Sequence, residues 1–191
     1  MAFRYFQQMG KQTQELFVKR LTLLGQDALD YAFHLSFKEN KERGEKGVWT
    51  HRTHNLGDGF GSAVYVNGYL RPETIRYIYN TPESQTGDKH TGERGRQALD
   101  DYFNRIHPMQ GSGDVIVIVA SAMYYTRFLE EGTYGGGGQP SIRVISGARD
   151  YIDRNWWAYV YDIYRRWQLP RPQARVIKGV LTELQNVYYN G

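Results

Sequence analysis

No cysteine occurs anywhere in the 191-residue chain. That excludes disulfide bonds, thiolate nucleophiles and every thiolate-ligated metal site, and it suits an intracellular life. Long apolar runs are missing as well. The longest, residues 115–120, is far short of the ~20 residues that a membrane helix needs. The opening Met1-Ala2-Phe3-Arg4-Tyr5-Phe6-Gln7-Gln8 holds no sustained apolar stretch, so no secretory signal is expected. There is no Gly-x-Ser-x-Gly nucleophile signature and no internal repeat.

Tyrosine is plentiful by contrast, with 16 copies. It brings large contact area, few rotamers to freeze and a hydroxyl for a wet rim, which suits interfaces as well as core edges. The net charge of +4 is concentrated near the end. Residues 143–191 carry eight Arg or Lys (143, 149, 154, 165, 166, 171, 175, 178) against four acids (150, 153, 162, 183), and the rest of the chain balances. Such a quarter faces either solvent or a polyanion.

Phe17, Leu21, Leu24, Ala28, Tyr31 and Leu35 recur at steps of three and four and predict an amphipathic helix. Its end is expected in the charged, Gly-containing segment 38–47. In the segment 59–68, Phe60, Ser62, Val64 and Val66 point one way and Gly61, Ala63 and Tyr65 the other. Asn67-Gly68 is a tight-turn signal, so a strand, a turn and a partner strand over 69–78 are predicted. Residues 81–96 have no large apolar side chain and read as a long loop. Leu99, Tyr102, Phe103 and Ile106 mark a short helix stopped at Pro108.

Residues 115–120 (Val-Ile-Val-Ile-Val-Ala) are apolar at every position and read as a central strand covered on both faces. Residues 123–131 predict a short helix ended by Gly132, followed by the glycine run 135–138. A second long helix is predicted on the stripe Ile145, Ala148, Ile152, Trp156, Tyr159, Ile163 and Trp167, stopping at Leu169-Pro170. The fold class expected is α+β: an antiparallel sheet packed by two long helices, with an inserted loop and short-helix region. Residues 1–168 form a single domain, with 69–111 as the insertion and 169–191 as a C-terminal extension.

The candidate chemical sites are weak. His51, His54 and Asp58 could suggest a metal, yet Gly57 and Gly59 favour a loop over the helix that would align two imidazoles. The run 135–138 lacks the Lys-Ser/Thr pair of a phosphate loop. The pairs Asp100-Asp101 and Glu130-Glu131 are helix neighbours about a hundred degrees apart, so neither makes an acid/base dyad alone. Arginines lie beside aromatics in Arg154-Asn155-Trp156-Trp157 and Tyr164-Arg165-Arg166-Trp167. They could stack bases and hold phosphates, although Trp156 and Trp167 sit on the core stripe. No catalytic, cofactor or metal site is expected, and the protein is expected not to be an enzyme.

One stretch has a family look. Met123-Tyr124-Tyr125-Thr126-Arg127-Phe128-Leu129-Glu130-Glu131-Gly132-Thr133, a glycine-rich loop, and Gln139-Pro140-Ser141-Ile142-Arg143 before a long helix resemble the siphophage head–tail joining family. Thr53-His54-Asn55-Leu56-Gly57-Asp58-Gly59-Phe60 is similar to that family's strand entry. The resemblance spans about residues 10–68 and 112–168. It implies a structural virion protein of a tailed bacteriophage, assembled in the host cytoplasm. Such a protein is a homo-oligomeric ring subunit of the neck or tail-completion complex, through which DNA passes without being read. Its implied partners are copies of itself, portal-side adaptors and tail-tube proteins, with no membrane. It places Arg127, Glu130, Glu131, Tyr134 and Arg143 at the oligomer interface, where opposite charges on neighbouring copies would fix register. The alternative function is a nucleic-acid-binding module that uses the basic C-terminal quarter.

Overall fold

In the computed structural model, the described residues are 2–33, 59–78, 93–108, 114–122, 126 and 144–169. They form helix α1 (Ala2–Phe33), strands β1 (Phe60–Val66) and β2 (Tyr69–Tyr77), helix α2 (Glu93–Arg105), strand β3 (Val115–Ser121) and helix α3 (Val144–Trp167). The strands make one antiparallel sheet in the order β2-β1-β3. The α+β class predicted from the sequence is the class observed.

The alternation in β1 decides which helix covers which face. Phe60 meets Ala28, Leu29 and Ala32 of α1 and Val144 and Ala148 of α3, while Val64 and Val66 meet Val18 of α1. Ala63 and Tyr65 point to the opposite face and pack on Leu99, Tyr102 and Phe103 of α2. The sheet therefore lies between the α1–α3 pair and α2. Two glycines and a serine permit this close packing. A Cβ at Gly25 of α1 would come within 2.7 Å of Ser62 Oγ, and one at Gly61 would lie 2.5 Å from both the Arg76 carbonyl oxygen and Leu99 Cδ2.

This arrangement corrects one expectation. Among the described strands the middle one is β1, with every residue buried, whereas the apolar segment 115–120 lies in β3, which pairs with β1 alone; it is covered on both faces as expected, with Val115, Val117 and Val119 packed on one side and Ile118 on the other. Close packing from both sides selects small residues such as Gly61, Ser62 and Ala63, so the most covered strand is not the one richest in β-branched side chains. A second correction concerns the loop assigned to 81–96. Its last four positions form the first turn of α2, which starts at Glu93.

Asn67 and Gly68 both have positive φ, 53° and 85°, as a two-residue type I′ turn requires. Beyond the turn, β2 bulges, because Val64 pairs with Arg71 and Ser62 with Arg76. Pro72, which has no N–H to give a ladder, lies in that bulge. Thr74 supplies the missing bonds: its Oγ1 accepts from Val64 N–H at 2.9 Å and donates to the Arg71 carbonyl at 2.6 Å. The Arg71 guanidinium then grips Glu15 of α1 with two bonds of 2.9 and 3.1 Å. That grip holds the Glu15 carboxyl below the usual carboxylate range.

Candidate interaction surface

Tyrosine hydroxyls join the layers. Tyr65, fully buried, donates to the Phe103 carbonyl at 2.7 Å, and Tyr77 donates to Asp100 Oδ1 at 2.7 Å. On the other side of the sheet, Tyr159 of α3 donates to Asp27 of α1 and lies 3.1 Å from the Tyr151 hydroxyl. Burial, and then donation to Asp100, pushes the Tyr77 phenol up to about 12. Burial is also the leading cause of upward shifts at Tyr65, Tyr159 and Tyr164. These phenols stay protonated at neutral pH and act within the fold as neutral, polar groups.

The second half of α3 carries a group of aromatic rings that reaches solvent. Trp156 and Trp157 meet edge to face at 5.3 Å, and Trp157 contacts Tyr161 at 5.8 Å and Tyr164 at 5.3 Å. Tyr164 in turn meets Phe17 of α1 at 5.4 Å, which extends the ring cluster across the helix pair. Tyr161 stays 49% exposed. Arg154 lies seven residues before Tyr161 and Arg165 four after it, so the two arginines flank the exposed ring on one helix face.

At the helix end the Arg166 guanidinium lies 5.5 Å from the Trp167 ring centroid. The helix then closes on Gln168, whose φ is 51°, with Leu169 N–H donating to the Tyr164 carbonyl and Gln168 N–H to that of Arg165. Its last residue is Trp167, just short of the predicted stop at Leu169-Pro170. Of the predicted stripe, Ala148 and Ile163 are buried and Ile145 and Ile152 pack on the core. Val144, Gly147, Ala148, Val160 and Ile163 are the buried positions, while Trp156 and Trp167 are only partly covered, so neither belongs to the deep core. Of the acids on α3, Asp162 pairs with Arg20 at 2.7 Å and Asp150 with Arg149 at 2.8 Å.

The interface residues expected from the family resemblance, Arg127, Glu130, Glu131, Tyr134 and Arg143, lie outside the described residues. So do His51, His54, Asp58 and the glycine run 135–138. Of the two carboxylate pairs, Asp100 and Asp101 are described: the Asp100 carboxylate accepts from Tyr77, and the Asp101 backbone carbonyl accepts from Arg105 Nε at 3.0 Å. Among the described residues, no three His, Asp or Glu side chains gather as metal ligands, and no helix is long and apolar enough to cross a membrane. Sequence reasoning missed Tyr161. Its signal was the four-residue step from Trp157, which puts both rings on one face.

No family model matches the chain, and neither a curated protein nor a solved structure matches it. Fold and surface together define an α+β protein with an aromatic and arginine-rich helix face.

Proposed function

We propose that this protein is a structural assembly subunit, and specifically a ring-forming component of the neck or tail-completion complex of a tailed bacteriophage. The observation that supports assembly is the α3 face. Trp157, Tyr161, Arg154 and Arg165 are the residue types that protein interfaces favour, and rigid rings on a helix lose little entropy when covered. The phage assignment rests on the resemblance carried by residues 123–143 and 53–60. A ring needs a head-to-tail contact that closes on itself, with the α3 face of one copy against a different surface of the next.

Light scattering on the purified protein, alone and with a portal-side adaptor, tests the assembly reading. Rings are expected, and Tyr161→Ala with Arg165→Glu should abolish them while leaving the circular dichroism spectrum unchanged. Full assembly of that double variant would refute the role of this face. Reading frames for a portal and a tail tube beside the gene are expected, and their absence would count against the phage assignment.

The same arginines favour a second reading, a nucleic-acid-binding module. Phosphate contacts weaken steeply as salt rises, so a salt titration of DNA binding separates the two. No binding at low salt removes the second reading.

A further inference from the structure

Asparagine followed by glycine is the pairing in which a side-chain amide is most open to attack by the backbone, because glycine has no Cβ to hinder the approach. It occurs twice in the chain, at 67–68 and 190–191. The second lies outside the described residues, and the first forms the tip of the β1–β2 hairpin. Asn67 is exposed there and Gly68 half-exposed, so water and hydroxide reach the turn.

The fold treats its described asparagines differently. Asn104 and Asn155 lie within α2 and α3, where their carboxamides donate to the Asp100 and Tyr151 carbonyls at 2.8 and 2.9 Å. The backbone amides that follow them belong to helical turns and to the bulky residues Arg105 and Trp156. At the hairpin tip the arrangement is the reverse. The bonds that close a two-residue turn run between its flanking residues, here Val66 and Tyr69, which leaves the amides of the two turn residues outside the ladder. The Asp114 carbonyl takes Asn67 N–H at 3.0 Å, whereas among the described residues no acceptor takes Gly68 N–H. The nitrogen placed to react is therefore neither hydrogen-bonded nor screened by a side chain of its own residue.

We propose that Asn67 is a site of self-modification, which deamidates in the folded protein to aspartate and isoaspartate. The Gly68 nitrogen gives its proton to hydroxide and forms a bond to Asn67 Cγ. The bond from Cγ to Nδ2 breaks, ammonia leaves, and a five-membered succinimide remains. Water then opens the ring. Attack at Cγ restores the original main chain with an aspartate, while attack at the main-chain carbonyl carbon gives isoaspartate. The balance is an amide and water converted to a carboxylic acid and ammonia. Isoaspartate sends the main chain through the side chain, adding one carbon to a turn of two residues. Asn67 also ties the tip to Asp114 at the start of β3, so a longer turn loosens β1 from both of its neighbours at that end. This chemistry is independent of ring assembly and of the phage reading.

Ageing the full-length protein in mildly alkaline buffer, followed by peptide mapping, reads the reaction directly. The peptide that holds Asn67 should gain the mass difference between an amide and an acid. Fragmentation should assign the gain to residue 67, in part as isoaspartate. Conversion there should run at least several-fold faster than at Asn104 or Asn155. Asn67→Gly removes the reacting carboxamide and suits the positive φ of the turn, so the variant should fold. The melting temperature of the parent should fall with age, while that of Asn67→Gly stays constant. Asn67→Asp has the new charge on the original main chain and should melt above the aged parent. Conversion of Asn67 only when the protein is unfolded in urea would overturn the proposal. So would conversion at Asn190 with none at Asn67.

Discussion

Replacing Tyr65 with phenylalanine removes one oxygen atom from the seam between the sheet and α2. The ring is fully buried, and its hydroxyl donates to Phe103 at 2.7 Å. Phe103 lies in the last turn of α2, where carbonyls have no partner within the helix. Ile106 N–H takes the neighbouring Tyr102 carbonyl, so the Tyr65 hydroxyl is the observed donor to Phe103. Tyr65→Phe keeps the packing and strands that buried acceptor, at a cost of about 2 kcal/mol. For a protein of this size, the melting temperature should fall by roughly 4–8 °C. In urea the midpoint should move down by about 1 M at unchanged slope. Tyr69→Phe, at a site 72% exposed, is the control and should stay within ~0.5 kcal/mol of the parent. If Tyr65→Phe and Tyr69→Phe melt together, the hydroxyl bond contributes nothing and apolar packing alone seats α2.

Gly61→Ala would press a methyl against the Arg76 carbonyl and Leu99, and calorimetry should show a loss of about 2 kcal/mol or more. Thr74→Val keeps the shape but leaves Val64 N–H without its side-chain acceptor, so the urea midpoint should fall by an amount equivalent to about 1–3 kcal/mol. Gln168→Gly relieves a left-handed residue at the helix end and should stabilise the fold by about 1 kcal/mol in the same assay. The raised Tyr77 phenol favours the protonated form in the fold. Its contribution is whole below pH 10, the ordinary value, and is lost as pH climbs through about 12. Stability measured against pH should therefore decline on that alkaline limb, less steeply in Tyr77→Phe.

Much of the architecture was legible in the chain. The four-residue step from Leu24 to Ala28 marked the buried side of α1, and Asn67-Gly68 marked the hairpin. The order of strands was not legible. Hydrophobicity ranks β3 above β1, but coverage from both faces depends on how closely helices can approach, which Gly25, Gly61 and Ser62 set jointly across long sequence separations. The depth of Trp156 and Trp167 on α3 was misjudged for a related reason. Tryptophan looks like a natural choice for a core stripe, yet the seam against α1 is narrow and takes Ala148 and Val144 opposite Ala28 and Ala32. Large rings were left to the flank, where Trp157 and Tyr161 remain within reach of solvent. The five residues that the family resemblance put at an interface belong to a segment outside the described residues.

The pairing of α1 with α3 has a consequence for synthesis. Arg20 finds Asp162, and Ala28 finds Val144, only after most of the chain has been made. At about 5–20 residues per second, the first helix waits on the order of ten seconds with the part of its apolar side that α3 covers still open, the strand β1 being made sooner. A nascent chain stalled before residue 144 should therefore recruit holding chaperones, and release them once the last helix clears the ribosome.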